Sequence, residues 1–322
     1  MNEEQVLQRI ASGAKPARLA AAGVHLGIGD DAALFIPHAG QQLILTCDWS
    51  VEGTHFLRDK HPPDAVGWKS LARAVSDIAA MGGTPRCFLL SLALPSTHTE
   101  RWLTEFLGGL RRASRTFHCE LAGGDTTRRD QILINIMVVG EIAPQLALQR
   151  AGAQAGDLIF VSGRLGEADL GWERLQKLRG RVRTSDRLLR KHLYPEPRLA
   201  LGKWLAKNRL ATAAMDVSDG LSIDLMRLCT ASRVGACVEV ASLPMLRDVA
   251  KPKAVQLALH GGDDYELLFT VSPRKMRQIP LNFRGLPLTQ IGTATPGRKM
   301  ELRAEDGSVH RLELGGWDPF RK

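Results

Sequence analysis

The stretch that decides the fold of the first half is DAVGWKSLARAVSDIAAMGG, residues 64–83. Its apolar residues recur at helical spacing, and the two glycines at its end are typical of a helix stop. We therefore predict a helix over residues 65–81, with Asp64 as its capping residue. Apolar runs of strand length flank it at residues 43–46 and 88–94. This order of strand, helix and strand indicates a mixed architecture.

The rest of the chain continues the mixed pattern. A second helix is predicted over residues 100–117, followed by a buried strand over residues 132–139. The pattern breaks in a connection rich in Pro, Gly and Ala at residues 143–156, after which a new series of strands and helices begins. We predict an α/β (α+β) fold of two domains, residues 1–147 and residues 148–322.

Composition excludes several classes of protein. The 322 residues are 44% hydrophobic and 24% charged, which excludes wholesale disorder and fibrous chains. The apolar runs are strand-sized, so no membrane span is expected. Because the N-terminus MNEEQVLQRI lacks the layout of a secretory signal, we expect a cytoplasmic protein. Five cysteines without a C-x-x-C pair favour reduced thiols over a disulfide framework or a zinc site.

The net charge of +9 is concentrated in residues 174–191. This stretch contains one acid, Asp186, and eight basic residues: Arg174, Lys177, Arg179, Arg181, Arg183, Arg187, Arg190 and Lys191. No aromatic residue is interleaved on which a base could stack. The pattern favours a solvated helix face or an insertion, so we expect no nucleic-acid partner, and the stretch predicts no function of its own.

Five segments place an acid beside glycine or threonine at the end of an apolar run. They are GIGDD (27–31), TCD (46–48), GGDTT (123–127), DVSDG (216–220) and GGDD (261–264). Each alone is typical of a tight turn. Together in one cleft, their carboxylates would repel one another unless a cation compensated them. Hard oxygen ligands fit magnesium or manganese rather than zinc, and magnesium bound with substrate phosphates indicates nucleotide chemistry.

The common nucleotide and hydrolase motifs are absent. There is no P-loop, and neither the H-R-D and D-F-G elements of protein kinases nor G-x-S-x-G or H-E-x-x-H occurs. The letters Gly27-x-Gly29-x-x-Ala32 match the dinucleotide fingerprint. However, two aspartates occupy the positions that would face pyrophosphate, and Pro37 cuts short the helix that should follow. We therefore reject a dinucleotide-binding fold.

Eight blocks in order carry a resemblance that spans nearly the whole chain. They are GIGDDAALF (27–35), TCDWSVEGTHF (46–56), SDIAAMGG (76–83), LAGGDTTR (121–128), RAGAQAGD (150–157), MDVSDGLSIDL (215–225), GGDDYELLF (261–269) and WDPF (317–320). The chain resembles the thiamine-monophosphate kinase family, in the superfamily of aminoimidazole ribonucleotide synthetase and selenophosphate synthetase. The resemblance implies a two-domain synthetase/kinase fold, with most metal ligands in the first domain and nucleotide and substrate contacts in the second. It also implies a homodimer that pairs through its N-terminal sheets.

The implied activity is ATP-dependent phosphorylation of thiamine monophosphate to thiamine diphosphate by direct in-line transfer, assisted by several Mg²⁺ ions. No residue is implied as a covalent nucleophile. Matching positions imply magnesium ligands at Asp30, Thr46, Cys47, Asp48, Asp77, Asp125, Asp216 and Asp219. They imply ATP contacts at Gly124, Asp125, Arg150 and Ser218, and substrate contacts at His55, Asp263 and Trp317.

Two of these positions depart from the family pattern. Cys47 replaces a hydroxyl residue, which leaves only its backbone as a safe metal ligand, and Asp263 replaces a longer glutamate. Spacing alone favours simpler interpretations at several positions: an ion pair of Asp77 with Arg73 one turn away, a structural role for His55 and packing for Trp317. Arg150 could equally be a surface charge.

Two other hypotheses for function stay open. The first is a sister ATP-dependent ligase or kinase that acts on another small phosphate ester. The second is a non-catalytic protein that holds nucleotide or nucleic acid on its basic surface, for which strong salt dependence of binding without ATP turnover would be the sign. Retention of the predicted metal-site aspartates argues against the second hypothesis.

Overall fold

The computed structural model describes residues 1–13, 15–180, 182 and 185–320. The described residues form nine α-helices. They are α1 Glu3–Ala11, α2 Pro16–Ala21, α3 Pro63–Ala80, α4 Arg101–Phe117, α5 Glu167–Lys177, α6 Arg187–Leu193, α7 Leu199–Lys207, α8 Leu221–Ser232 and α9 Lys251–His260. In this part of the chain, no helix combines the length and the apolarity needed to cross a membrane.

The same residues form fourteen β-strands. They are β1 Val24–Leu26, β2 Leu34–Phe35, β3 Gln42–Val51, β4 Thr84–Leu94, β5 Glu120–Arg128, β6 Leu133–Ile142, β7 Leu158–Ser162, β8 Ala211–Val217, β9 Gly235–Glu239, β10 Glu266–Val271, β11 Asn282–Phe283, β12 Leu286–Thr295, β13 Met300–Arg303 and β14 Val309–Arg311. Strands β1 and β2 pair with each other.

The first half is built on a four-stranded sheet in the order β3-β6-β4-β5, in which only β4 and β5 run parallel. Helices α3 and α4 pack together and bury their apolar residues with those of the sheet in one core. The predicted helix and both flanking strands are confirmed. The predicted cap is wrong: the helix begins at Pro63 after Pro62, and the carboxylate of Asp64 instead accepts hydrogen bonds from Arg112 and Tyr194.

The second half is built on an eight-stranded sheet whose main order is β14-β13-β9-β12-β7-β10-β8, with β11 paired to β12. Strands β8 and β10 are antiparallel neighbours, which places the end of β8 beside the start of β10. The segments DVSDG and GGDD, predicted to carry chemistry, occupy these two adjacent ends. Sheet pairing thus brings together residues that lie about 45 positions apart in sequence.

One apolar cluster joins residues from both halves of the chain. It contains Leu71 of α3 together with Leu201, Leu205 and Phe269. Helix α3 therefore packs against the second half as well as against its own sheet. The predicted division after residue 147 falls between the end of β6 and the start of β7, and it stays a prediction.

The basic stretch at residues 174–191 contains the end of α5 and the start of α6. Several of its cations are paired: Arg174 with Asp186 at 2.9 Å, Arg187 with Glu167, and Lys191 with Glu266 at 3.2 Å. Arg181 and Arg183 lie outside the described residues. Of these three pairs, only that of Arg174 with Asp186 is solvent-accessible on both sides, as a solvated helix face requires. Arg187 and Lys191 instead pair with buried carboxylates.

Candidate active site

A cavity of about 690 Å³ lies where β3 and α3 of the first half meet α5, α9 and the ends of β8 and β10. Eight of the residues predicted to carry function line this cavity. They are Asp48, His55, Asp77, Asp216, Ser218, Asp219, Asp263 and Trp317. Neighbouring acids that line one cavity are the arrangement expected of a site that binds cations, and phosphates through those cations.

The aspartates at the centre of the cavity carry charge that the protein compensates only in part. Asp216 is 4% exposed and accepts a 2.6 Å hydrogen bond from Ser76; burial, together with the neighbouring Asp77, raises its pKa to about 8. Burial likewise raises the pKa of Asp48 to about 6, although Arg73 lies 3.6 Å away. Burial also raises the pKa of Asp77, to which the Thr46 hydroxyl donates. A bound cation would relieve the repulsion among the carboxylates of Asp48, Asp77 and Asp216.

The chemistry of these side chains fits magnesium. They offer carboxylate oxygens without cysteine or paired histidine, which suits a hard cation. In the described residues, no three His, Cys, Asp or Glu side chains are already gathered closely enough to hold a metal ion. Because magnesium usually keeps several waters and binds through one or two carboxylates plus substrate phosphates, a tight protein cage is not required.

Six predicted residues do not line the cavity: Asp30, Thr46, Cys47, Gly124, Asp125 and Arg150. The Thr46 hydroxyl donates a hydrogen bond to the Asp77 carboxylate, which itself lines the cavity. Cys47 is exposed, and strand alternation directs its side chain to the opposite face of β3 from Thr46 and Asp48. The exposed Arg150 guanidinium lowers the pKa of Asp77, which places its charge near that carboxylate.

Asp30 and Asp125 are exposed, and each carboxylate accepts a hydrogen bond from the next backbone N–H, of Asp31 and Thr126. Gly124 has φ 150°, and a Cβ there would overlap the carbonyl oxygen of Leu90 on the adjacent strand. The close approach of the Gly124 backbone to β4 is sufficient reason for a glycine at this position, and no bound ligand is needed to explain it.

His55 and Trp317 have different surroundings at the cavity wall. The Val51 N–H donates to Nδ1 of His55 at 3.1 Å, and burial lowers the pKa of the ring to about 4, so the neutral ring carries its proton on Nε2. Trp317 is 47% exposed, and its backbone N–H donates to the carbonyl of Asp219 at 2.9 Å. His55 therefore provides a hydrogen-bond donor, and Trp317 an accessible aromatic face.

Asp263 is already engaged with other protein groups. Its Oδ2 lies 2.7 Å from the Lys69 ammonium, and its Oδ1 accepts a 2.8 Å hydrogen bond from Tyr265. Burial alone would raise its pKa, but Lys69, with His192 and Arg73, holds the pKa of Asp263 well below its usual range. The carboxylate therefore offers little uncompensated charge to a ligand.

Sequence reasoning missed several residues that shape the cavity. Lys69 and Arg73 lie one turn apart on α3, and Asp77 follows one turn later, so three ionisable residues share one side of a largely buried helix. The four-residue spacing of these ionisable residues is visible in the sequence and is the signal that identifies them. The pair of Arg73 with Asp77, which spacing alone favoured and the family resemblance did not, is not within ion-pair distance. The Arg73 guanidinium lies 3.6 Å from Asp48 instead.

The fold and this cavity define the class of protein. Residues 29–142 match the family described as AIR synthase related protein, N-terminal domain. The chain is 37% identical over 290 residues to the thiamine-monophosphate kinase of Synechococcus elongatus, which covers 86% of each chain.

Solved structures of thiamine-monophosphate kinases are also similar to this chain. The thiamine-monophosphate kinase of Stenotrophomonas maltophilia K279a superposes with a TM-score of 0.83 at 34% identity, covering 96% of this chain and 98% of that one. AaThiL complexed with AMPPCP and TMP gives a TM-score of 0.77 at 35% identity, covering 91% and 92%. The chain belongs to the thiamine-monophosphate kinase family.

Proposed function

We propose that the protein transfers the terminal phosphoryl group of ATP to thiamine monophosphate and so forms thiamine diphosphate. The observation that supports this most directly is the convergence of eight predicted site residues on one cavity, in a chain with the fold of AaThiL complexed with AMPPCP and TMP. Phosphoryl transfer mainly needs in-line positioning of the reactants and compensation of phosphate charge, and a cavity with this arrangement of charges meets that need.

In this proposal Asp48, Asp77 and Asp216 hold magnesium, with Asp219 at the same cavity. Bound magnesium would neutralise charge on the phosphate oxygens. Arg73 adds a permanent positive charge beside Asp48, and its Nε has no hydrogen-bond partner among the described residues. Asp30, Asp125, Gly124 and Arg150 remain proposed ligands whose side chains or backbone lie outside the cavity lining.

The experiment is formation of thiamine diphosphate by the purified protein with ATP and magnesium, with thiamine monophosphate and free thiamine offered separately. We expect product from the monophosphate only, and its loss with EDTA and in the Asp48→Asn variant. If neither compound is phosphorylated while ATP and magnesium bind, the substrate assignment is wrong and the sister-enzyme hypothesis takes its place. Nucleic-acid binding without any ATP turnover would favour the non-catalytic hypothesis.

We further propose that two copies of the chain pair through their N-terminal sheets. The outward side chains of β3 include Leu43, Leu45 and Trp49, and the last two are 61% and 52% exposed. An apolar strand face of this kind is typical of an interface, and a symmetric pair is the common closed oligomer. Strand register places Asp125 in the same cross-strand row as Trp49, so pairing would bring Asp125 to the interface.

The cytoplasmic location expected from the sequence also stays a prediction.

A further inference from the structure

One wall of the cavity is formed by helix α5, which the family resemblance left without a role. Asp169 and Trp172 lie one turn apart on this helix, and both line the cavity. The carboxylate of Asp169 packs near the backbone of Gly261, at the start of the segment that carries Asp263. The wall therefore adjoins the proposed substrate contact Asp263 and lines the same cavity as Trp317.

The Trp172 ring is held by two buried histidines. Its centroid lies 5.7 Å from that of His61 and 5.4 Å from that of His192, both in tilted packing. The two imidazoles have Nε2 atoms 3.1 Å apart and are themselves buried. A half-buried indole supported in this way presents a fixed aromatic surface to the cavity.

Asp169 is the acid of this wall that has no direct partner in the described part of the chain: burial, with Glu173 and Asp263 nearby, raises its pKa, and Lys253 only partly opposes that rise. Among the described residues it forms no hydrogen bond or ion pair through its carboxylate, although it is half-buried. Its neighbours differ: Glu173 lies 2.5 Å from Lys253, and Asp263 lies 2.7 Å from Lys69. A partly buried carboxylate without a direct ion pair or hydrogen bond is unfavourable, and the positive charge of a ligand would stabilise it.

These observations point to a binding surface for a cationic ring. An aromatic face attracts a cation through its quadrupole, and a carboxylate one turn away adds direct charge attraction. Thiamine monophosphate has a positively charged thiazolium ring. We propose that Asp169 and Trp172 receive this ring and select a cationic acceptor over a neutral one of the same shape. This inference rests on the proposed function.

The test compares thiamine monophosphate with an analogue whose thiazolium is replaced by a neutral ring. For Asp169→Asn and Trp172→Leu we expect KM for thiamine monophosphate to rise about tenfold, with kcat changed less than about threefold and KM for ATP unchanged. Both variants should also lose most of the wild-type preference for the charged ring. A merely structural role would not change that preference selectively.

Two control variants carry matched changes away from the cavity. Asp248→Asn removes an exposed carboxylate, and Trp204→Leu removes an indole that packs against Phe283. Both should keep the wild-type preference. An unchanged preference in Asp169→Asn and Trp172→Leu overturns the inference, as does a loss of kcat with unchanged KM.

Calorimetric binding separates this inference from the proposed function. If the wild-type protein forms no thiamine diphosphate, the proposed function fails, but binding of thiamine monophosphate can still be titrated directly. Binding that weakens about tenfold in Asp169→Asn and not in Asp248→Asn supports the cationic wall by itself. Equal binding by wild type and Asp169→Asn contradicts it.

Discussion

Asp216 and Asp224 are two buried aspartates with different partners. Asp216 faces Asp77 in the cavity, whereas Asp224 accepts backbone hydrogen bonds from Ser218, Asp219 and Gly220 at 3.0–3.2 Å. Asp224 thus holds the backbone of residues 218–220, which follow β8, in place. Asp216 is buried beside a second carboxyl group, and burial together with that neighbour raises its pKa to about 8.

We expect Asp216→Asn to lower thiamine diphosphate formation by about 100-fold or more, because it removes a carboxylate that is proposed to hold magnesium at the phosphates. Its melting temperature should stay equal or rise by about 2–4 °C, because the amide cannot ionise beside Asp77 and still offers an acceptor to Ser76. Asp224→Asn should lower the melting temperature. Thermal unfolding and turnover measure both effects, and full activity with a lowered melting temperature in Asp216→Asn would identify Asp216 as structural.

His61 gives a pH dependence whose sign can be derived. Burial lowers its pKa to about 3 in the folded protein, against about 6.5 when unfolded. The folded state therefore binds fewer protons, and this histidine reduces stability as the pH falls below about 6.5. Replacement by glutamine removes that penalty. We expect His61→Gln to lower the free energy of unfolding at pH 7. At pH 5 the wild-type protein already has the histidine penalty, so the decrease caused by the substitution should be about 2 kcal/mol smaller.

Denaturant titrations at the two pH values measure this difference. The control is His25→Gln, which replaces an exposed histidine of β1 and should have the same small effect at both pH values. A loss of stability from His61→Gln that is independent of pH would show that His61 is not held neutral.

At the scale of elements, helices α3 and α4 cross so closely that only glycine fits at the contact. A Cβ on Gly109 would overlap the Asp64 carbonyl oxygen, whereas a Cβ on the adjacent Gly108 meets no atom within 4 Å. Gly109→Ala should reduce the free energy of unfolding by about 2–3 kcal/mol through overpacking. Gly108→Ala should increase it by about 0.5–1 kcal/mol, since alanine favours a helix interior. Equal effects in denaturant titrations would contradict this account of the crossing.

Local patterns predicted the elements better than the contacts between them. The spacing in residues 64–83 is enough to predict α3, but Pro62 and Pro63 displace its start from Asp64. The acids of DVSDG and GGDD could be predicted to meet, because strand ends carry function. Asp48 lies inside β3 rather than at its end, so that rule does not place it. The compensation of Asp263 could not be predicted, since its partner Lys69 is 194 positions away. Only tertiary packing brings that pair together.

At the scale of the whole molecule, the exposed β3 face predicts an oligomer. We expect a dimer in sedimentation equilibrium for the wild-type protein. The double variant Leu45→Glu, Trp49→Glu should be monomeric, because it places charge on the proposed interface. Leu281→Glu, a matched change at a residue 88% exposed elsewhere, should stay dimeric. A monomeric wild-type protein would refute the proposed pairing.

The position of Cys47 makes the protein convenient for site-specific labelling. Cys87, Cys119, Cys229 and Cys237 are buried, and burial raises the thiol pKa of Cys87 to about 11 and that of Cys229 to about 12. Low thiolate content and poor access make such thiols slow to react. A maleimide dye should therefore attach to Cys47 in the unaltered sequence. Because Cys47 shares the outward face of β3, the dye would also report when that face is covered.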